Sequence, residues 1–290
     1  MKIFPETTNS LKKLLNFIVT RNLNGEKLKI PCIHGIKVGV GNEKWMSEVL
    51  EKLTKITKGK VFWDVGANLG QTLLKLKTVN DSWAYVGFEP NPTCVFYLHE
   101  LVNKNLFSDT TILPVGLHIE DTLLQLETYG DDADPLGSIV CNFRESLTNS
   151  RKKWVSLLTY SSLPEFIKSE KVDILKIDAE GAEFDVLSTL EPIIQKDRPY
   201  LLIEILPVYN SDNYQRLDQQ RKIESYFQKN RYCLMRIGKK NGYFDCLDEI
   251  DLIGVHDNLE HCDYLVCPNE KIPFLDKKVS LNYRAGSSSC

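Results

Sequence analysis

The sequence lacks a Cys-x-x-Cys pair, and its eight cysteines are scattered along the chain. Scattered cysteines are typical of reduced, buried thiols, so we expect a cytoplasmic protein. One group of possible zinc ligands has spacings that match none of the regular zinc motifs. It comprises Cys246, His256, His261, Cys262 and Cys267. We therefore expect no metal site there.

Two further absences exclude other classes of protein. No apolar run is long enough to cross a membrane, so we expect no transmembrane segment. The formal net charge is −3, so the chain lacks the basic surface that a nucleic-acid partner would need. The remaining composition, with 42% hydrophobic and 26% charged residues, is that of an ordinary globular protein.

Near the N-terminus, apolar residues recur at helical spacing after a possible cap at Ser10. They are Leu11, Leu14, Leu15, Ile18 and Val19. A second helical pattern contains Met46 and Leu50 and can be capped by Asn42. We predict an N-terminal helical extension over residues 1–58, a catalytic or binding domain over 59–275, and a C-terminal tail over 276–290.

From residue 59 onward, buried β-branched runs alternate with helical patterns. The predicted strands lie at 61–65, 84–88, 111–115, 172–177, 200–206, 232–237 and 263–267, and the predicted helices begin near Pro92, Ala182 and Tyr214. This alternation predicts a doubly wound α/β fold with a mostly parallel sheet. Residues 120–160 interrupt it, which indicates a functional connection or an inserted hairpin. In such folds, ligands bind beyond the carboxyl ends of the strands.

The stretch "VFWDVGANLGQT" (61–72) places Asp64 at a strand end, followed by a turn that contains Gly66 and Gly70. A dinucleotide site requires a middle glycine, which is missing, and the Asp64 carboxylate would repel a pyrophosphate. S-adenosylmethionine fits better, because it carries an ammonium and an α-carboxylate and no phosphate. Asp64 could accept from the ammonium, the glycines could let the backbone approach the cofactor, and the following helix would favour the carboxylate.

A second acid supports a nucleoside site. Glu89, in "YVGFEPNP", ends the next predicted strand, 25 residues after Asp64 (89 − 64). This position suits an acid that binds ribose hydroxyls, for which a spacing of about 20 residues is usual in dinucleotide folds. The alternative is that Asp64 and Glu89 only cap helices.

Three blocks resemble the FkbM family of S-adenosylmethionine-dependent methyltransferases: residues 61–72, "GFEPNP" (87–92) and "ILKIDAEGAEFDVL" (174–187). The likeness extends over roughly residues 43–268. It implies a class I methyltransferase fold, which is Rossmann-like, with a seven-stranded sheet of order 3-2-1-4-5-7-6 whose strand 7 is antiparallel. It also implies O-methylation of a hydroxyl, often on a sugar or a natural product.

The cofactor-binding residues expected from the motifs and this resemblance are Asp64, Gly66, Ala67, Asn68, Gly70, Glu89, Pro90 and Asp178. Methyl transfer to a hydroxyl needs an aligned acceptor and a base. We predict that Asp178 and Glu180 supply that chemistry, with Gly181 permitting a sharp turn. His118 is a further candidate. Glu183 is as well explained by a place in the first turn of a helix.

Other roles stay open for the neighbouring charges. Lys176 could form a buried structural pair with Glu204. A divalent cation between Asp178 and Glu204 is a less favoured alternative.

The predicted function is O-methylation of a hydroxyl-bearing acceptor, most simply a carbohydrate in a glycan or glycoconjugate. The alternatives are a small natural-product acceptor and an inactive module that only binds the cofactor. The sequence does not determine the oligomeric state.

Overall fold

The computed structural model describes residues 16–128, 137–140, 151–279 and 283–284. The strands of this part are β1 Phe17–Leu23, β2 Glu26–Cys32, β3 Val61–Val65, β4 Ala84–Phe88, β5 Thr110–Leu113, β6 Gly116–Leu117, β7 Thr122–Thr128, β8 Arg151–Leu158, β9 Ile174–Ile177, β10 Tyr200–Glu204, β11 Tyr232–Lys240, β12 Tyr243–Glu249, β13 Asp263–Pro268 and β14 Tyr283–Arg284. The α-helices are α1 Lys44–Ile56, α2 Gln71–Val79, α3 Pro92–Asn105, α4 Glu165–Lys168, α5 Glu183–Thr189, α6 Glu191–Asp197, α7 Tyr214–Lys229 and α8 Ile272–Val279.

The central sheet contains nine strands in the order β14-β12-β11-β13-β10-β9-β3-β4-β5. Strands β5, β4, β3, β9 and β10 are parallel to one another, whereas β13 is antiparallel to β10 and β11. The seven strands from β5 to β11 therefore follow the predicted order 3-2-1-4-5-7-6, with strand 7 reversed. The predicted number of strands is too small, because β12 and β14 extend the edge.

Helices cover both faces of this sheet, as the alternating pattern predicts. Leu50 of α1, Leu73 of α2 and Leu98 of α3 are fully buried in one apolar cluster. Leu187 of α5 and Phe227 of α7 are buried in the cluster on the opposite face. Burial on both faces explains why the parallel strands are almost continuously apolar.

The N-terminal part of the described chain is a β-hairpin, so the predicted helix through Ile18 and Val19 is wrong. Both residues lie in β1 and pair with residues of β2. Asn24 and Gly25 join the strands with φ values of 51° and 90°, and two positive φ values are typical of a type I′ hairpin turn. Leu11, Leu14 and Leu15 lie outside the described residues.

The predicted boundary at 58 lies between α1 and β3. Helix α1 packs against α2 and β12, although it begins after Glu43 rather than after Asn42. Residue 275 lies inside α8. None of the helices in the described part of the chain is long and apolar enough to cross a membrane.

The segment 120–160 contains an inserted hairpin, as one of the two interpretations predicted. Strands β7 and β8 are antiparallel, and β6 joins them in a separate three-stranded sheet. The face with Leu126, Val155 and Leu157 is buried, while Trp154 on the other face is exposed.

Candidate active site

A cavity of about 390 Å³ opens at the carboxyl ends of the parallel strands. Its lining includes residues 65–68 at the end of β3 and just after it, 89–91 after β4, 178–180 after β9 and 202–204 at the end of β10. Leu126 and Leu157 of the inserted hairpin and Trp45 of α1 complete the walls. The cavity therefore lies where a doubly wound sheet places its ligands.

The two glycines of the β3–α2 turn are explained by contacts inside the protein. Gly66 has a φ of 86°, and an added Cβ would lie 1.9 Å from the carbonyl oxygen of Asp178. Gly70 has a φ of 91°, and an added Cβ would lie 2.9 Å from the side chains of Leu98 and Leu101. Gly66 lines the cavity, whereas Gly70 does not line it. Gly70 thus serves helix packing rather than a direct approach to a cofactor.

The backbone amides of this turn are already used. Each one donates within the protein: Gly66 and Ala67 to the carbonyl of Phe88 (3.0 and 3.1 Å), Asn68 to the Glu89 carboxylate (2.7 Å), Leu69 to Asn68 Oδ1 (2.6 Å) and Gly70 to the carbonyl of Ala67 (2.9 Å). A pyrophosphate would therefore find no free backbone amide in residues 66–70. This is a second reason, besides the missing middle glycine, why the turn does not fit a dinucleotide.

Glu89 is held rigidly at the edge of the cavity. Its Oε2 accepts from the amide of Asn68 at 2.7 Å and its Oε1 accepts from the amide of Asn91 at 2.8 Å. Each oxygen keeps a second lone pair, so the carboxylate can accept from two more donors. Burial raises the pKa of Glu89 to about 7, although the two amides act in the opposite direction. Pro90, also predicted, lines the cavity beside it.

Asp64 lies beneath the cavity and does not line it. Its side chain is fully buried; Oδ2 accepts from the Tyr85 hydroxyl at 2.6 Å, and Oδ1 lies 3.3 Å from Lys176 Nζ. Lys176 Nζ also lies 3.2 Å from Asp178 Oδ2. Lys176 thus pairs with these two carboxylates, whereas the sequence suggested Glu204. Lys176 thus links Asp64 to Asp178, which lines the cavity.

The protonation states of this group follow from burial and from its charges. Burial raises the pKa of Asp64, while Lys176 lowers it. Burial lowers the pKa of Lys176, but the carboxylates of Asp178 and Asp64 outweigh it and raise that pKa above its ordinary value. Lys176 is therefore a cation at neutral pH.

Asp178 and Glu180 both line the cavity, as predicted. Glu180 adopts a left-handed φ of 48°, and Gly181 follows with a φ of 104°. A non-glycine residue in this region costs energy, so the surrounding structure must hold it there. The Ser138 hydroxyl donates to the carbonyl of Glu180 at 2.7 Å and so ties the turn to the chain that follows β7.

Glu183 and His118 do not line the cavity. Glu183 is the first residue of α5 and accepts from the amide of Gly181 at 2.8 Å, which confirms the helix-start interpretation. Burial raises the pKa of Glu183 to about 7. His118 Nε2 lies 3.6 Å from Asp185 Oδ2.

Within the described residues, no group of three or more His, Cys, Asp or Glu side chains is arranged to hold a metal ion. A pair of carboxylates such as Asp178 with Glu204 is smaller than such a group, whereas the statement covers the Cys–His group near residue 260. In the latter, the rings of His256 and His261 lie edge to face, with centroids 6.0 Å apart.

Sequence reasoning missed the residues at the end of the cavity beyond β9. They are Glu43 and Trp45 near the start of α1 and Asp263 at the start of β13, which join Glu204 at the end of β10. Asp263 forms an ion pair with Lys239. Its position could have been inferred, because an antiparallel strand begins at the edge where its parallel neighbours end.

The methyltransferase FkbM domain model matches residues 64–237. Hexuronic acid methyltransferase AglP of Haloferax volcanii is 22% identical over 177 residues, which are 61% of this chain and 69% of that protein.

Two solved structures are also similar. Methyltransferase FkbM from Methylobacillus flagellatus KT is 15% identical, with a TM-score of 0.44, over 71% of this chain and 43% of that chain. The O-methyltransferase from Bacillus cereus in complex with SAH is 12% identical, with a TM-score of 0.42, over 76% of this chain and 78% of that chain. This chain thus spans less than half of the Methylobacillus protein.

Proposed function

The chain belongs to the FkbM methyltransferase family, and from that premise we propose that it transfers the methyl group of S-adenosylmethionine to a hydroxyl of a sugar in a glycan or glycoconjugate. One observation carries the proposal: the same cavity is lined by Glu89, an acid placed to bind ribose hydroxyls, and by two further carboxylates, Asp178 and Glu180. Asp178 follows β9, which lies two strands from β4, so the two groups are about 10 Å apart along the sheet edge.

The residues near β3 and β4 fit the nucleoside part of this cofactor. Glu89 can accept from the two ribose hydroxyls with its unused lone pairs. Ala67, Asn68 and Pro90 line the space beside it. Gln71 and Thr72 line the cavity at the start of α2, where amides without helical acceptors favour a carboxylate. When bound, the cofactor supplies a methyl group that is already activated on a sulfonium.

The residues after β9 fit the transfer step. The acceptor oxygen forms the new C–O bond as the S–CH₃ bond breaks, and its proton passes to the carboxylate of Asp178 or Glu180. Lys176 holds Asp178 in place from below, at 3.2 Å. The hairpin residues Leu126 and Leu157 add apolar walls to the cavity, and apolar walls help to keep water away from the reacting groups.

A carbohydrate acceptor is supported by the name of the Haloferax relative, which acts on a hexuronic acid. Tyr209, in the loop after β10, and Tyr214, at the start of α7, are both exposed. Aromatic and polar side chains of this kind suit sugar binding.

Calorimetric titration with S-adenosylhomocysteine, with NAD in a parallel titration, tests the cofactor. We expect saturable 1:1 binding of the former and no binding of the latter. Glu180→Gln should keep that binding and slow methyl transfer from labelled S-adenosylmethionine to oligosaccharides by about 100-fold or more. Binding of NAD alone, or of neither compound, would contradict the proposal.

A further inference from the structure

The end of the cavity farthest from Glu89 is lined by Glu43, Trp45, Glu204 and Asp263; we call it the acceptor end. Strand β13 lies four strands from β4 in the sheet order, so Asp263 is about 19 Å from Glu89 along the edge. A nucleoside bound at Glu89 leaves this end for the acceptor. The inference that follows rests on the proposed function.

Each of three lysines near this end is bound by a protein carboxylate. Lys75 Nζ lies 2.5 Å from Glu43 Oε2, and Lys176 bridges Asp64 and Asp178. Lys239 is paired with Asp263, and its Nζ lies 5.0 Å from the centre of the Trp45 ring. Among the described residues that line the cavity, Lys176 is the only lysine, arginine or histidine. An anionic acceptor would therefore find no unpaired cation in this described lining.

The pKa of Glu204 reflects the electrostatic environment of the acceptor end. Burial raises the pKa of Glu204 to about 9, and the carboxylates of Asp178, Asp263 and Glu180 add to the shift. An ionised carboxylate is thus disfavoured at this position even when it belongs to the protein. The carboxylate of a substrate placed beside Glu204 would meet the same desolvation and the same like charges.

We propose that the acceptor end takes an uncharged or amine-bearing sugar and excludes a uronic acid. Asp263 determines this specificity, because its carboxylate pairs with Lys239 and so prevents that lysine from binding the carboxylate of a substrate. The acceptor class would then differ from the one named for the Haloferax relative. Because like charges placed together weaken binding, we expect neutral or amine-bearing sugars to be methylated about tenfold or more in preference to uronic acids.

The experiment supplies the full chain with labelled S-adenosylmethionine and three oligosaccharide pools at equal hexose concentration. The pools are neutral, free-amine-bearing and uronate-containing. Label in the neutral or amine pool, at about tenfold or more over the uronate pool, supports the inference. Preferred labelling of the uronate pool overturns it and leaves the methyltransferase proposal standing. Absence of label in every pool, with S-adenosylhomocysteine bound, overturns the sugar acceptor and this inference with it.

Asp263→Asn tests the role of the specificity residue, because it leaves Lys239 without its carboxylate partner. We expect the ratio of uronate to neutral labelling to rise about tenfold. Glu43→Gln, which frees Lys75 in the same way, serves as a second variant if Asp263→Asn does not fold. Glu120→Gln is the control, since it removes an exposed charge that does not line the cavity. An unchanged ratio in both test variants would overturn the role of these ion pairs.

Discussion

Glu89 is buried like a core residue, yet it faces the cavity with lone pairs that the protein does not use. Its pKa of about 7 means that a large fraction is protonated near neutral pH, whereas accepting from two ribose hydroxyls requires the carboxylate. We therefore expect S-adenosylhomocysteine to bind more weakly at pH 6 than at pH 8, by roughly fivefold to tenfold. Calorimetric dissociation constants at the two pH values measure this difference.

The chain offers a matched control for this prediction. Glu183 is equally buried, and its pKa is also raised to about 7, but it does not line the cavity. Glu183→Gln should keep the pH dependence of binding, and Glu89→Gln should lose it and bind more weakly. If the two variants behaved alike, the ribose assignment of Glu89 would be wrong.

At the scale of single residues, sequence placed the acids at the right strand ends but could not tell which of them reach the cavity. Asp64 and Glu89 both lie at the ends of neighbouring strands, yet Asp64 is covered by Tyr85 and Lys176. That outcome depends on which side chains of adjacent strands share a face and a level. The register between two strands that are far apart in the sequence cannot be read from a local motif.

At the scale of elements, Gly66 lies where the end of β3 passes very close to the end of β9. An added Cβ would meet the carbonyl oxygen of Asp178 at 1.9 Å, and the amide of Asp178 already donates to Val65 at 3.0 Å. The strand ends would have to separate. We expect Gly66→Ala to lower the free energy of unfolding by at least about 2 kcal/mol more than a positive-φ glycine substitution alone. Urea unfolding measures the loss.

Gly25→Ala is the matched control for that experiment. Gly25 has a φ of 90°, close to the 86° of Gly66, but an added Cβ would meet no atom within 4 Å. It should therefore cost only the backbone strain, about 1 kcal/mol. Equal losses in the two variants would show that contact with Asp178 is not what requires a glycine at position 66.

Local sequence signals predicted the start of one helix but did not lead to the two hairpin turns. Helix α3 begins at Pro92, as predicted, and the Asn91 side chain caps it by accepting from the amide of Thr93. The β1–β2 hairpin was missed, although Asn24-Gly25 is a strong hairpin signal, because apolar spacing also fitted a helix. The Asn241-Gly242 turn between β11 and β12, with φ values of 55° and 77°, was missed too.

At the scale of the whole molecule, the order of the seven strands from β5 to β11 followed from the family resemblance. The closure of the cavity did not follow, because it depends on how separate parts of the chain meet. Leu126 and Leu157 of the hairpin, Trp45 of α1 and Asp263 of β13 come together only in the folded protein. Such long-range contacts leave no periodic signal in one sequence.

The buried acids together set how the stability of the molecule depends on pH. In the folded protein, burial raises the pKa of Glu89 and Glu183 to about 7 and that of Glu204 to about 9, all above the ordinary 4.5. A raised carboxyl pKa means that the folded state keeps protons that the unfolded state releases, so stability falls as pH rises. The lowered pKa of His256 acts in the opposite direction only below about 6.5.

We therefore expect the free energy of unfolding to decrease between pH 6.5 and pH 9, by about 2 kcal/mol or more. Urea unfolding of the cofactor-free protein at several pH values measures this change. Glu204 titrates highest of the three glutamates and accounts for the part of the slope above pH 7, so Glu204→Gln should flatten the curve there. Stability that stayed constant or rose over this range would mean that the buried carboxyls are ionised in the folded state. In that case the acceptor end would tolerate an additional carboxylate, and the expected exclusion of uronic acids would lose its electrostatic basis.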